Sequence, residues 1–439
     1  MTQLARKLRV ADYFSLGWGS MVGVGWLVIM DDWLLRGGPL GGVLGFAIGG
    51  ILLLPIGYVY SKWVIAVPDA GGEVAYTGKV FPQRVSYYTG WMMLLAYFIV
   101  CPWEAVAVGR IAAYIFPGLN SVGLYSVGGK TVYLPHLVIG VALVAMITIV
   151  NYRGVRLSAT FQNWTTFGTL ALFVVFVSVG VTRGARTNFP PLFTHTPIVS
   201  VLLVLQIVPY FMTGFESVTK AAEEASAQFR PRDFSRAIFA AIAVGAVFYV
   251  IVIAAVGYVA PWRTLTTEPF MTAVAFEHAV GSRWIVSIIL SAAILSLFKV
   301  FNGSFIAATR LLFALARGGM VDPRLARIHP RNQTPAAAVV CVGLATAACM
   351  FLGSAILVPI SEVGSVASAT GWFAVCLAYL WTKPQLIDRV IAVLGALVGL
   401  AMILMKFAPI VPGHFSVWEW ITLAFWLALG TAVARRTGE

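Results

Sequence analysis

The sequence predicts an all-α integral membrane protein of about twelve spanning helices, and three observations predict it. Of its 439 residues, 60% are hydrophobic and 11% charged, against roughly 45–50% and about 25% in soluble domains. The apolar residues run continuously, without the alternation that marks a membrane β-barrel. The 30 lysines and arginines are also unevenly distributed between alternate connections. A soluble enzyme, a disordered chain and a disulfide-stapled secreted protein all fit this composition poorly.

The apolar runs fall near 12–35, 40–66, 86–115, 132–151, 157–182 and 197–224, then 234–260, 282–316, 335–354, 357–381, 388–406 and 415–434. Each is long enough to cross a hydrocarbon core of about 30 Å. No long hydrophilic stretch separates them, so residues 1–439 read as one transmembrane domain. The opening MTQLARKLRV lacks the apolar core of a signal peptide, so insertion is expected to be directed by the helices themselves.

With the N-terminus in the cytoplasm, 21 basic residues fall on that side, Arg156, Arg230, Arg232, Arg236 and Arg436 among them. Eight fall on the other, including Arg36, Arg110, Arg283 and Lys406, while Lys299 lies inside the eighth run. This positive-inside bias predicts a cell-membrane protein with both termini cytoplasmic. The net charge of +13 therefore reflects topology, and no soluble basic face suggests nucleic acid. The four cysteines (Cys101, Cys341, Cys349 and Cys376) lie in apolar stretches without a CxxC spacing, and the five histidines form no HxxH or HExxH pair. Neither a metal nor a cofactor is expected. A membrane enzyme would need a convergent nucleophile, metal set or acidic cluster at one face, and a channel would need charge rings or a filter. The sequence shows none of these.

Runs one and six are interrupted alike. The first holds Gly17-Trp18-Gly19-Ser20-Met21-Val22-Gly23-Val24-Gly25, with four glycines in nine residues, and the sixth holds Pro209-Tyr210-Phe211-Met212-Thr213-Gly214-Phe215-Glu216. Glycine and proline weaken helix interiors. Their recurrence five helices apart points to an inverted-repeat transporter with discontinuous helices. Close helix packing through small residues is the alternative source of such glycines.

Taken in order, the motifs resemble those of the amino acid–polyamine–organocation permeases. Val22-Gly23-Val24-Gly25 resembles that family's glycine motif, and Pro68-Asp69-Ala70-Gly71-Gly72-Glu73-Val74-Ala75-Tyr76 its P-x-A-G-G-x-Y-x-Y. Phe211-Met212-Thr213-Gly214-Phe215-Glu216 with Glu223-Glu224 resembles its F-x-G-F-E and acidic pair. Similar loop and helix-eight motifs follow at Arg230 to Ile238, Asn302-Gly303, Thr309-Arg310 and Ala316 to Gly319. The likeness spans roughly residues 10 to 335. Departures are Val74 in place of the first tyrosine and Trp26 in place of isoleucine. The resemblance implies a LeuT-type fold, with inverted repeats at 12–182 and 197–381 and two peripheral helices at 388–434.

A half-helix beginning near Gly25 presents unpaired N–H groups and a positive dipole end, which suits an anion. By resemblance, Ser20, Met21, Val22, Gly23, Val24 and Gly25 receive a substrate carboxylate. The carbonyls of Tyr210, Phe211 and Thr213, beside Gly214, accept from its ammonium, and Phe211 is the candidate gate. An ordinary packing role for Phe211 remains open at this stage.

Each charge within the membrane costs about 2.5–3.5 kcal/mol at a helix centre and requires a partner or water. Glu104, Glu216, Lys299 and Glu362 lie inside apolar runs, whereas Asp31 and Asp32 lie near the outer end of the first. Glu216 matches the family's helix-six glutamate, a structural and proton-sensitive hub. Glu104 pairs with Lys299 or meets a cationic substrate. The fifth run, Gln162-Asn163-Trp164-Thr165-Thr166-Phe167-Gly168-Thr169, lacks the lysine through which some members couple to protons. Lys299 is the substitute, and Ser296 with nearby carbonyls is the candidate set for sodium. Exchange without a coupling ion is also allowed. The expected activity is secondary transport of an amino acid or related amine by alternating access, with membrane lipid as surroundings and a proton or sodium as possible co-substrate. The alternative is a polyamine or organic-amine permease whose cationic substrate lacks a carboxylate, with Glu104, Asp31 and Asp32 supplying negative charge.

Overall fold

The computed structural model describes residues 6–435 apart from 227, 269 and 283, with only the backbone of 155, 156 and 356. Arg283 and Arg436, counted in the charge bias, lie outside the described residues. Among the described residues, nine helices are long and apolar enough to cross a membrane: Met30–Ala66, Gln83–Ile115, Leu134–Arg153, Leu157–Arg183, Pro231–Val259, Trp284–Arg317, Ala336–Ala355, Leu357–Trp381 and Leu386–Phe407. A shorter apolar helix, Val417–Val433, follows. The protein is an all-α membrane protein.

The first and sixth apolar runs are missing from that set because both are broken. The first run forms Val10–Met21 and Gly25–Val28, with Val22 extended between them (φ −99°, ψ 98°), and then enters Met30–Ala66. Non-helical Gly38 (φ 68°, ψ 175°) divides that long helix just before Pro39, which marks the turn between the first two spans. A side chain on Gly38 would meet the Leu192 carbonyl oxygen at 2.6 Å. The sixth run forms Pro197–Leu205, Val208–Met212 and Ser217–Lys220. Span three bends at Ile99, between Gln83–Phe98 and Val100–Ile115, where Pro102 has no N–H to give Phe98.

Two elements depart from the sequence expectation. An antiparallel hairpin, Gly123–Val127 with Lys130–Tyr133, precedes span four, so that span starts at Leu134 and not at 132. Its two turn residues, Gly128 and Gly129, both have positive φ, which a two-residue hairpin turn requires. A ten-residue helix, Met271–Val280, lies between spans seven and eight. Residues 132 and 133 alternate too briefly to stand out from the apolar run they join.

Glycines on Met30–Ala66 let two neighbours approach. Gly45 and Gly49 face Val204 and Val208 of span six, while Gly42 and Gly57 face Ile253 and Ile242 of Pro231–Val259. Small residues on one face allow dispersion to hold helices together where no hydrophobic driving force exists. The last helix docks on span three through a reciprocal clasp. Trp91 Nε1 donates to the Trp426 carbonyl (3.0 Å), Trp426 Nε1 donates to the Trp91 carbonyl (3.1 Å), and the rings stack at 4.5 Å. Tyr87 adds a 2.6 Å bond to the Gly430 carbonyl.

Ion pairs gather at both ends of the bundle. At the N-terminal face, Arg310 bonds Glu224 (2.6 Å), and Arg317 bonds both Glu223 and Asp69 (2.7 Å each). Slightly deeper, fully buried Lys220 meets Glu73 at 2.5 Å. At the opposite face, Arg36 bridges Asp32 (2.7 Å) and Glu362 (2.8 Å), and Lys406 also pairs with Glu362. Thus Glu362, which the sequence left without a named partner, and Asp32, at the outer end of the first run, are both partnered.

The Arg310–Glu224 pair is nearly inaccessible to solvent, so removing one partner strands the other charge. Arg310→Met is expected to lower unfolding stability in detergent by about 3–5 kcal/mol, and Arg310→Met with Glu224→Leu to recover most of that loss. Equal losses in the single and double variants would show that the charges are not coupled.

Candidate binding site at two interrupted helices

The two breaks lie against each other. A Cβ on Gly214 (φ 143°) would stand 2.6 Å from the Met21 nitrogen and 2.7 Å from the Ser20 carbonyl carbon. Only glycine permits this backbone-to-backbone approach, and its φ is one that side chains rarely adopt. Across the gap, a Cβ on Gly25 would lie 2.6 Å from the Phe211 ring.

Between the breaks is a small cavity of about 20 Å³, lined by Ser20, Met21, Gly23, Gly25, Val100, Trp103, Glu104, Tyr210, Phe211 and Val300. A space of this size holds about one water. Six of the ten positions expected from sequence line it: Ser20, Met21, Gly23, Gly25, Tyr210 and Phe211. Val22, Val24, Thr213 and Gly214 do not. Thr213 turns its hydroxyl to the Pro209 carbonyl (2.7 Å) and to Ser368 of span ten. Among the described residues, no backbone N–H outside the helices donates to the carbonyls of Tyr210, Phe211 or Thr213. Phe211 is buried in an aromatic cluster, with ring centroids 4.8 Å from Trp33, 5.0 Å from Tyr210 and 6.2 Å from Tyr249.

Side chains satisfy most of the polar groups that the breaks expose. Tyr249 OH donates to the Met21 carbonyl at 2.8 Å. Ser296 Oγ reaches the carbonyls of Val22 and Gly23, each at 3.0 Å. Lys299 Nζ donates to the Val22 carbonyl and, at 3.4 Å, to that of Gly19, and it lies 4.4 Å from the Trp18 ring centroid. Glu216 accepts from Gly214 N–H (3.1 Å) and from Trp372 Nε1 (3.2 Å), closing the break in span six.

Lys299 and Glu104 face the same interruption without pairing. Among the described residues Lys299 forms no ion pair, because its ammonium is taken by the carbonyls that end Val10–Met21. Glu104 is buried against Gly23, where a Cβ would collide with its Oε1 and lie 3.0 Å from Val300. The Val24 N–H acts on this carboxylate, and its Oε2 has no hydrogen-bond partner. The protein's own carboxylate thus occupies the position that the glycine motif suggests for an anion.

Sequence reasoning missed Trp103, Val100 and Val300 as cavity walls. Trp103 is pinned by its Nε1 bond to the Leu357 carbonyl (2.9 Å). Its place beside Glu104 was the available signal. Also missed was the polar group beneath Lys299, in which Asn302 joins Gln162 (2.8 Å) and Asn151 (2.8 Å).

Comparison with known proteins agrees with this architecture. The family model described as amino acid permease matches residues 8–433. The methylthioribose transporter of Bacillus subtilis is 25% identical, over 98% of this chain and 93% of its own. The branched-chain amino acid permease of the same organism is also 25% identical, over 98% and 92%. The vacuolar cationic amino acid transporter 4 of Arabidopsis thaliana is 24% identical, over 87% of this chain and 64% of its own. The chain is a multi-pass membrane transporter, not an enzyme, and it belongs to the amino acid permease family.

Proposed function

We propose that the protein is a secondary transporter of amino acids or related amines, working by alternating access across the cell membrane with both termini cytoplasmic. The observation that carries this reading is the contact of Gly214 with Ser20 and Met21 beside a small cavity between the two breaks. Two broken helices meeting in mid-membrane supply N–H groups, carbonyls and a negative charge to a small zwitterion or amine. Residues 12–182 and 197–381 are the inverted repeats in this reading, and Phe211 closes over the ligand. The transport named for the relatives, of branched-chain and cationic amino acids, supports the substrate class.

The position of Glu104 favours a second reading, in which the substrate is an amine without a carboxylate. A ligand carboxylate must displace Glu104 from Gly23, whereas an ammonium is attracted to it. Lys299 supplies the coupling in either case: its ammonium holds the carbonyls at the end of the first half-helix, as a bound cation would. Loss of its proton would remove the charge that strengthens its hold on the Val22 carbonyl and loosen the break.

A thermal-shift panel of amino acids and amines on the purified protein, followed by proteoliposome uptake of those that bind, tests the whole reading. Absence of any hit from either class would overturn it. Gly23→Ala adds one methyl where the end of Glu104 must yield and Val300 must give slightly, so the variant should fold while uptake falls at least about tenfold; wild-type uptake would remove the first break from the site. Phe211→Ala should weaken ligand retention by about 1–3 kcal/mol, and a change in melting temperature alone would reduce the ring to packing. Glu104→Gln separates the two substrate readings: an amine loses about tenfold or more in affinity, while an amino acid keeps or gains affinity.

Lys299→Ala is expected to abolish pH-driven accumulation, and Lys299→Arg to slow turnover by holding the charge fixed. Accumulation that follows a sodium gradient and ignores pH would sink this coupling.

A further inference from the structure

A second cavity, of about 740 Å³, opens at the face opposite the N-terminus, between the outer half of span three, the hairpin and the helix Met271–Val280. It shares no lining residue with the central cavity. Its size is that of a ligand site, typically about 300–1,000 Å³, and nothing in transport at the broken helices uses it.

Arg110, Lys130 and His136 converge on its wall. Arg110 is half-buried and forms no ion pair among the described residues; its guanidinium lies over the Phe270 ring, 5.6 Å from the centroid. His136 Nε2 is buried with no hydrogen-bond partner. The two side chains are fixed on facing helices, because a Cβ on Gly109 would stand 2.8 Å from that of His136. Spans three and four therefore touch at this point, and the register of neither is free to slip. Burial and the like charge of Arg110 hold the Lys130 ammonium below its ordinary range, although Asp31 pulls the other way. Glu277 also lines the cavity and has an interaction of its own. Val286, Leu290 and Met350 make the rest apolar.

We propose that this cavity binds an organic anion, with its carboxylate or phosphate on Arg110, Lys130 and His136 and its apolar body against Val286, Leu290 and Phe270. The planar guanidinium suits a bidentate oxyanion, and Arg110, which feels Asp31 without an ion pair to it, gains a directly bonded partner when one arrives. The anion comes either from a free solute or from an acidic lipid headgroup reaching in from the membrane. The occupant would brace the helix Met271–Val280, whose Thr272 Oγ1 donates to the Trp26 carbonyl (2.8 Å) of the half-helix Gly25–Val28. A ligand here therefore bears on the central site without entering it.

Binding of 4-phenylbutyrate and of uncharged 4-phenylbutanol to the purified full chain in detergent tests the proposal by direct binding, with no transport readout. The acid should bind at least about tenfold more tightly than the alcohol, and Arg110→Gln should lose about tenfold of that affinity. Lys130→Gln, on the exposed hairpin, should lose several-fold and remains informative if Arg110→Gln does not fold. Nanodiscs with and without phosphatidylglycerol resolve the source: an Arg110-dependent thermal shift from phosphatidylglycerol, with loss of 4-phenylbutyrate binding in those discs, supports the site and assigns the anion to lipid. If the acid binds no better than the alcohol and phosphatidylglycerol gives no Arg110-dependent shift, or if both variants bind as wild type, the site does not exist.

Discussion

Everything in the centre of this protein follows from one constraint: two helices are broken where the membrane offers no water to their backbones. A continuous helix satisfies its own N–H and C=O groups, whereas each interruption leaves several without a partner. The structure answers with side chains from other spans. Tyr249, Ser296 and Lys299 serve the carbonyls of the first break, Ser365 accepts from Tyr210 N–H at 3.3 Å, and Glu216 closes the sixth. Tyr249, Ser296, Lys299 and Ser365, on spans seven, eight and ten, are thus explained by defects in spans one and six. The groups left over, the carbonyls around Phe211 and the free oxygen of Glu104, are those that face the cavity or lie at its edge.

The charges are layered. Ion pairs at each face join spans that are distant in sequence: Asp69 to Arg317 at one end, Arg36 to Glu362 at the other. These contacts cost least where water is near and partners are redundant, as for Arg317, which has two acidic partners. Between the layers, Glu104 and Lys299 attract each other across the break without a direct ion pair, and each is also held by backbone dipoles. A tight pair there would fix the break, whereas charges bound to carbonyls and N–H groups can exchange those partners for a ligand or a proton.

The interrupted helices were legible in the sequence because glycine and proline act locally: Pro209 and Gly214 alter the backbone wherever they stand. The buried charges were legible as well, since Glu104 and Lys299 violate an apolar run in a way few other residues do. Their partners were not. Helical period fixes which face of a span turns inward, but not which other span it meets, so Glu104 and Lys299 could be read as a direct ion pair although backbone carbonyls hold the Lys299 ammonium. Trp103 was missed for a related reason: a tryptophan in an apolar run reads alike whether it faces lipid or lines a cavity, and only its neighbour Glu104 marked it. The hairpin was hidden by its brevity, with only the Gly128–Gly129 turn to mark it.

The clasp between Trp91 and Trp426 has a mechanical consequence. Each indole N–H donates to a backbone carbonyl of the other helix, so separating the two helices leaves both indoles without their partners. The last helix is consequently yoked to the inner half of span three, on the near side of the bend at Ile99, and not to either interrupted span. The periphery is therefore anchored to span three, and neither bond of the clasp crosses to the broken pair.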